Sequence, residues 1–247
     1  MHERKRRDTR GHDVWPVRDR EAPGSNPGPP TKPCSPAAAT EASSARDVQM
    51  DTTAVAFVYH LCSRDMRGMT LFPLNGLKDR YPDVYARERK KYQGRENVLD
   101  WVVPGLGVPW ADTVNLSGLD PRLLMEARVQ LGVPFSRLLE RPLARIPLER
   151  IAASPAVVYN SATHWINSSP GEDVPLTPPE TEFAQFDPET YSEPRQVPQL
   201  HLDYLLRQKA RGQLALGFVF VRHVLVAGPV DLSGIDLIEM EPPPPSS

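Results

Sequence analysis

Seven prolines between Ser168 and Pro198, at positions 170, 175, 178, 179, 188, 194 and 198, set the strongest limit on how this chain can fold. Each fixes φ and removes a backbone donor, so the stretch cannot be a regular helix or a central strand. So long a connection inside a compact domain is either a functional loop or disorder. Phe183, Phe186 and Tyr191 supply apolar anchors that favour a loop packed over the surface, and this segment is the candidate lid.

The first 49 residues have almost no apolar periodicity and are excluded from the fold. Within them, Gly24 to Thr31 reads as a translated transfer-RNA gene. Encoded as GGT TCG AAT CCC, Gly24 to Pro27 would spell a T-arm, the Gly28 wobble base with the Pro29 and Pro30 codons would supply an acceptor strand, and the Thr31 codon with the first base of Lys32 would spell ACCA, while an ordinary Pro/Gly linker fits the amino acids alone. The expectation is a mis-assigned or disordered segment 1–49, a gene start at Met50, one domain over 50–240, and a solvated Pro-rich tail over 241–247. The basic run Glu3 to Arg7 reads as solvated charge.

Of 29 Lys+Arg and 31 Asp+Glu, the excluded segment holds 9 and 7, leaving 20 against 24 and a net charge of −4. That balance gives no support for a general DNA-binding protein. Cys62 is the one cysteine after Met50, which rules out an intramolecular disulfide and a cysteine-based zinc cluster in that part. No apolar run approaches the roughly 20 residues needed to span a membrane, so a cytoplasmic protein with no membrane partner is expected.

Val55 to Leu61 reads as a first strand ending at His60, and Pro82 to Tyr92 as a helix stopped by Gly94. A short helix is expected over Glu96 to Val103. The clearest helix is Asp120 to Leu131, with Asp120 as N-cap, Pro121 in the first turn and Gly132 as C-terminal cap. Ala144 to Leu148 and Ala156 to Asn160 read as strands flanking a single turn. Gln199 to Ala210 reads as an amphipathic helix with Leu202, Leu205 and Leu206 inward. Strands follow at Ala215 to Val221, His223 to Ala227 and near Ile235 to Met240. This order gives an α+β fold with a mixed or mainly antiparallel sheet and flanking helices.

No GxGxxG, P-loop, HExxH or GxSxG motif occurs. Candidate chemistry therefore rests on polar residues at strand ends. His60 closes the first strand beside Tyr59, where an imidazole and a phenol can hydrogen-bond a ribose or phosphate. His223 interrupts the apolar run Phe218 to Val226, so the Arg222–His223 pair marks either a bulge or a pocket. His60, His164, His201 and His223 lack tight ligand spacing, and no metal site is expected. His201 reads as structural.

Tyr59-His60 at the end of the first strand, Leu116-Ser117 before a helix, and the late block His223 to Ile235 together resemble the ADP-ribosyltransferase superfamily, in particular its DarT-like members. The resemblance implies that fold, NAD as the nucleotide, and transfer to an acceptor, DNA bases in the DarT-like enzymes. It implies that His60 grips the NAD ribose and that Tyr59 and Ser117 line the same site. The family's late-strand glutamate falls on His223, and a neutral or positive imidazole cannot supply the carboxylate's negative charge. Glu239 and Glu241 are the nearby acids that stand as substitutes, and the catalytic residues implied are His60, His223 and Glu239.

A non-catalytic module is the alternative. Lys78, Arg80, Arg87, Arg89, Lys90, Lys91 and Arg95, interleaved with Tyr81, Tyr85 and Tyr92, form a basic and aromatic stretch suited to nucleic acid. The same spacing also fits a helix that buries Tyr85 and Tyr92 and solvates its charges. Trp101, Trp110 and Trp165 fit either a protein-protein contact or a core.

Overall fold

The computed structural model describes residues 56–94, 96–133, 141–162 and 178–240. In chain order the strands and helices are β1 (Phe57–Leu61), β2 (Thr70–Leu71), α1 (Leu74–Arg80), α2 (Pro82–Arg89), β3 (Thr113–Ser117), α3 (Pro121–Gln130) and β4 (Leu143–Pro147). They continue with β5 (Ala156–Asn160), β6 (Phe183–Gln185), α4 (Gln199–Ala210), β7 (Arg222–Ala227), β8 (Val230–Asp231) and β9 (Leu237–Ile238). Seven strands form one sheet in the order β6-β5-β7-β3-β1-β4-β9, and β2 pairs with β8 in a separate ribbon. The strand pairs are antiparallel, which makes the architecture α+β, as the element order predicts.

Strand alternation sorts the apolar residues onto two faces. On one face Val58, Leu116, Ala144, Ile146, Val158, Val224 and Val226 form the main core, covered by Leu71, Leu148, Ile151, Val230 and Leu232. On the other face Val157, Tyr159 and Leu225 pack against Val98, Val103 and Trp110. Tyr59 and Leu143 pack on that side with Met125 of α3 and with Met240. A one-residue slip would exchange the two faces of a strand, so the different side chains each face must fit against its own cover fix the register.

Helix α3 forms where its caps predict. The Asp120 side chain accepts from Arg122 N at 2.9 Å, Pro121 opens the first turn, and Gly132 takes φ +60° past the end. Helix α2 stops at Arg89 and tightens to a 3-10 turn over Lys90–Tyr92, two residues before Gly94 at φ +82°. Helix α4 has its expected span, but its buried face carries His201, Tyr204, Leu205 and Gln208, while Leu206 is 46% exposed. The inward reading of Leu206 is thus corrected. A turn does join β4 and β5, yet β1, β3 and β7 lie between them in the sheet, so they are not neighbours.

The expected strand Ala215 to Val221 is absent, and Phe220 there takes φ +59°. Side chains replace a strand partner along this segment. Arg128 Nη2 donates to Ala215 O at 2.9 Å, Tyr204 Oη accepts from Leu216 N at 2.9 Å, and His201 Nδ1 pairs with Val219 O at 2.6 Å. With its backbone satisfied from α3 and α4, the apolar run needs no sheet.

The Pro-rich stretch, where described, contributes only a 3-10 turn and the three-residue edge strand β6. It is strapped to the body. Phe183 stacks on Tyr159 with ring centroids 4.8 Å apart, Phe186 joins the main core, and Tyr191 packs on Phe186 at 5.6 Å. The Tyr191 ring passes so close to Gly118 that a Cβ there would lie 2.5 Å from its hydroxyl and 3.2 Å from Arg222 O. Gly118→Ala is therefore expected to destabilise the fold by about 1–3 kcal/mol. Tyr191→Phe in the same chain should recover part of that loss, and denaturant melts of the two single variants and the double variant check both effects.

Candidate functional site

The centre of the sheet is joined unevenly. β1 pairs with β4 along five residues, from Phe57↔Pro147 to Leu61↔Leu143, but with β3 at Tyr59↔Ser117 alone. Beyond that pair the two strands part, and His60 and Leu61 face Thr113, Val114 and Asn115 across a cleft of about 400 Å³. Leu74 and Leu77 of α1, Tyr81, and Val84 and Glu88 of α2 complete its wall, with Lys91, Arg141 and Phe218. That volume lies within the range of small-molecule sites.

Register places the sequence candidates. Tyr159, His223, Ser117, Tyr59 and Arg145 occupy one row across β5, β7, β3, β1 and β4. Tyr59, Ser117 and His223 therefore share a face and all line the cleft, and His60, of opposite parity, reaches it because the sheet is open there. Residues separated by more than 160 positions in sequence thus meet in one cavity.

Their polar atoms are not equally available. The Tyr59 hydroxyl donates to Glu193 Oε1, and burial and that carboxylate push its pKa upward. The buried Ser117 hydroxyl donates to Leu119 O at 2.7 Å and accepts from Leu119 N at 3.2 Å, closing the turn before α3. Both residues shape the wall, but their hydroxyls already have partners. His60 Nδ1 pairs with Asn115 O at 3.1 Å across the gap. Desolvation pushes the His60 ring down to about 4, so it is neutral at pH 7 with Nδ1 carrying the proton and Nε2 left as an acceptor.

His223 stands between Tyr159 and Phe218, each ring 6.2 Å away, and desolvation likewise holds it at about 4. Its Nδ1 is shielded from water, and the Val221 carbonyl beside the ring opposes the effect of desolvation by favouring the protonated form. Asn115 Oδ1 and Glu88 Oε1, on two cleft residues that the sequence reading missed, are shielded from water without a hydrogen-bond partner. Asn115 had a detectable signal, a lone amide in the otherwise apolar run Val114-Asn115-Leu116 of a central strand. Glu88 read as one more solvated charge on α2.

Glu239 is elsewhere. It is exposed just after the edge strand β9 and does not line the cleft. The basic stretch divides: Arg87 pairs with Asp65 and Lys91 with Glu88, Arg80 lies 4.8 Å over the Phe72 ring, and Lys78, Arg89 and Lys90 are exposed. Arg95 lies outside the described residues. Val84 is the buried residue of α2, with Tyr85 only half-buried. Trp110 is 5% exposed and packs with Trp101 in the core beneath β5 and β7, so these two serve the fold rather than a surface contact. Trp165, His164 and Glu241 lie outside the described residues. None of residues 178–198 lines the cleft, so the described part of the Pro-rich segment is a strap and not a lid. Among the described residues no group of three or more His, Cys, Asp or Glu is placed to hold a metal, and no helix is long and apolar enough to cross a membrane.

His60, His201 and His223 all titrate near 4 when folded and near 6.5 when unfolded. The unfolded chain then binds more protons between these values. Stability is complete above pH 6.5 and falls as pH drops toward 4, by up to about 1.4 kcal/mol per pH unit for each excluded proton. Guanidinium midpoints measured from pH 7 to 4.5 should decline throughout that window, and a flat profile would contradict the neutral imidazoles.

Compared with protein-family models, curated proteins and solved structures, the chain matches none.

Proposed function

We propose that the cleft between β1 and β3 binds NAD or a related nucleotide, in an ADP-ribosyltransferase-like domain whose acceptor is nucleic acid or protein. The observation that carries this reading is the convergence of Tyr59, His60, Ser117 and His223 on one cavity. The cavity's chemistry supports it. Phe72, Tyr81, Tyr92 and Phe218 offer flat apolar surface for a base or a nicotinamide ring. Arg67, Lys91 and Arg141 offer positive charge for phosphates. His60 Nε2 and Asn115 Oδ1 are acceptors suited to ribose hydroxyls or a carboxamide.

Bound NAD supplies a glycosidic bond whose cleavage builds positive charge on the ribose while nicotinamide departs with the bonding pair. His60, held by Asn115 O, orients a hydroxyl through its free lone pair. His223, neutral at pH 7, fixes position by hydrogen bonding and contributes no charge. The role of the family's late-strand carboxylate is therefore not filled from β7.

Calorimetric titration of NAD into the full chain tests the reading, with His60→Ala as control. Binding is expected, weakened at least about tenfold by the substitution, in line with loss of a hydrogen bond in a desolvated site. Saturating NAD at about 100 times its dissociation constant should stabilise the fold by about 2.7 kcal/mol. No binding at millimolar NAD would overturn the reading. Salt-sensitive binding of single-stranded DNA, lost on substituting Lys78, Arg89 and Lys90, would then favour the non-catalytic nucleic-acid module.

A further inference from the structure

Glu88 is the one acidic residue lining the cleft among the described residues. It stands on the last turn of α2, and its side chain is 20% exposed. Its two oxygens have different surroundings. Oε2 forms an ion pair with Lys91 Nζ, one turn along the chain. Oε1 is shut off from water and has no hydrogen-bond partner; Arg87 Nε, 3.7 Å away, is within ion-pair distance but beyond hydrogen-bond reach.

An ionised oxygen with neither water nor a donor is costly, and native folds keep such groups where something else will satisfy them. The fold does not need this carboxylate for packing, since Val84 is the buried residue of α2. Lys91 is itself held by Oε2 and by the wall, and desolvation lowers its pKa, with Glu88 opposing that shift. The terminal torsion of a glutamate is broad and soft and carries both oxygens together, so Oε1 turns toward the cavity with Lys91, on its flexible four-carbon stem, following Oε2. One further shielded acceptor of the same cleft, Asn115 Oδ1, is also without a donor. Two acceptors left open beside one cavity favour an occupant that carries hydrogen-bond donors.

We propose that Glu88 is the ligand-binding carboxylate of this cleft, with Oε1 accepting a hydrogen bond from a ribose hydroxyl of the bound nucleotide while Lys91 holds Oε2. The assignment rests on the nucleotide reading given above. It places the negative charge missing from the His223 position on α2 instead of on the late strand. Glu239, exposed beyond β9, has no part in it.

The test titrates NAD, and NAD analogues lacking one ribose hydroxyl at a time, into the full chain and its Glu88→Gln and Glu88→Asp variants, with thermal melts of each. The unaltered chain should bind NAD and lose at least about tenfold on removal of one particular hydroxyl. Glu88→Gln should bind NAD at least about tenfold more weakly and discriminate that analogue by less than about twofold. Glu88→Asp keeps a charge beside Lys91 but shortens the reach, and should show the same loss of discrimination. A purely structural glutamate would lower melting temperature and leave the hydroxyl preference intact, which would overturn the assignment. Equal NAD affinity in the unaltered chain and both variants would overturn it too, with the nucleotide reading left standing. Failure of the unaltered chain to bind NAD would remove the nucleotide reading and the assignment together.

Discussion

One residue pair, Tyr59↔Ser117, joins the two halves of the main sheet. On one side stand β1, β4 and β9, and on the other β3, β7, β5 and β6. Beyond the join, the inner edges of β1 and β3 carry backbone groups that a continuous sheet would have paired. Side chains satisfy two of them: Glu193 Oε2 accepts from Phe57 N at 3.2 Å, and His60 Nδ1 donates to Asn115 O at 3.1 Å. An opening in a sheet survives only when its edges are supplied in this way. The cleft is thus a consequence of where pairing stops, and the groups that close the accounts around it are the ones that shape its walls.

Glu193 links this opening to the Pro-rich strap. Its carboxylate holds both Phe57 N and the Tyr59 hydroxyl, while Phe186 and Tyr191 of the same segment anchor in and beside the main core. The prolines stiffen the strap by limiting φ and reducing the freedom lost on ordering. Its function is accordingly mechanical: it fixes β1 at the base of the cleft. A segment read from composition as a cover is, in its described part, a brace.

The sequence was most legible where local rules act alone. Asp120, Pro121 and Gly132 specify α3 by capping chemistry, and β1 and β7 are clear from short apolar runs with valine and, in β1, aromatic residues. The convergence of Tyr59, His60, Ser117 and His223 was legible only through a resemblance, because no local rule links a strand at residue 60 to one at residue 223. Failures occurred where a distant partner overrode local preference. Ala215 to Val221 has strand composition, yet Arg128, Tyr204 and His201 claim its backbone from two helices. On α4 the polar His201 is buried and Leu206 is exposed, a reversal explained by the Val219 carbonyl that the imidazole serves. Tyr59 and Ser117 do line one cleft, but nothing in their neighbours along the chain reveals that Glu193 and Leu119 occupy their hydroxyls.

The electrostatics of the cleft follow from the same economy of partners. Both of its histidines are desolvated and neutral at pH 7, so the wall formed by β1 and β7 offers lone pairs without charge. Its cations and its carboxylate come from outside those strands: Arg67 and Arg141 from the flanking loops, Glu88 from α2, and Lys91 from the turn that follows it. Arg67 is tied to Asp83 and Lys91 to Glu88, which limits how far either can move to meet a phosphate. On the nucleotide reading proposed above, the sugar and base would lie along the strands, where their donors meet the neutral acceptors, with the phosphates directed to the cations of the helix and loop side.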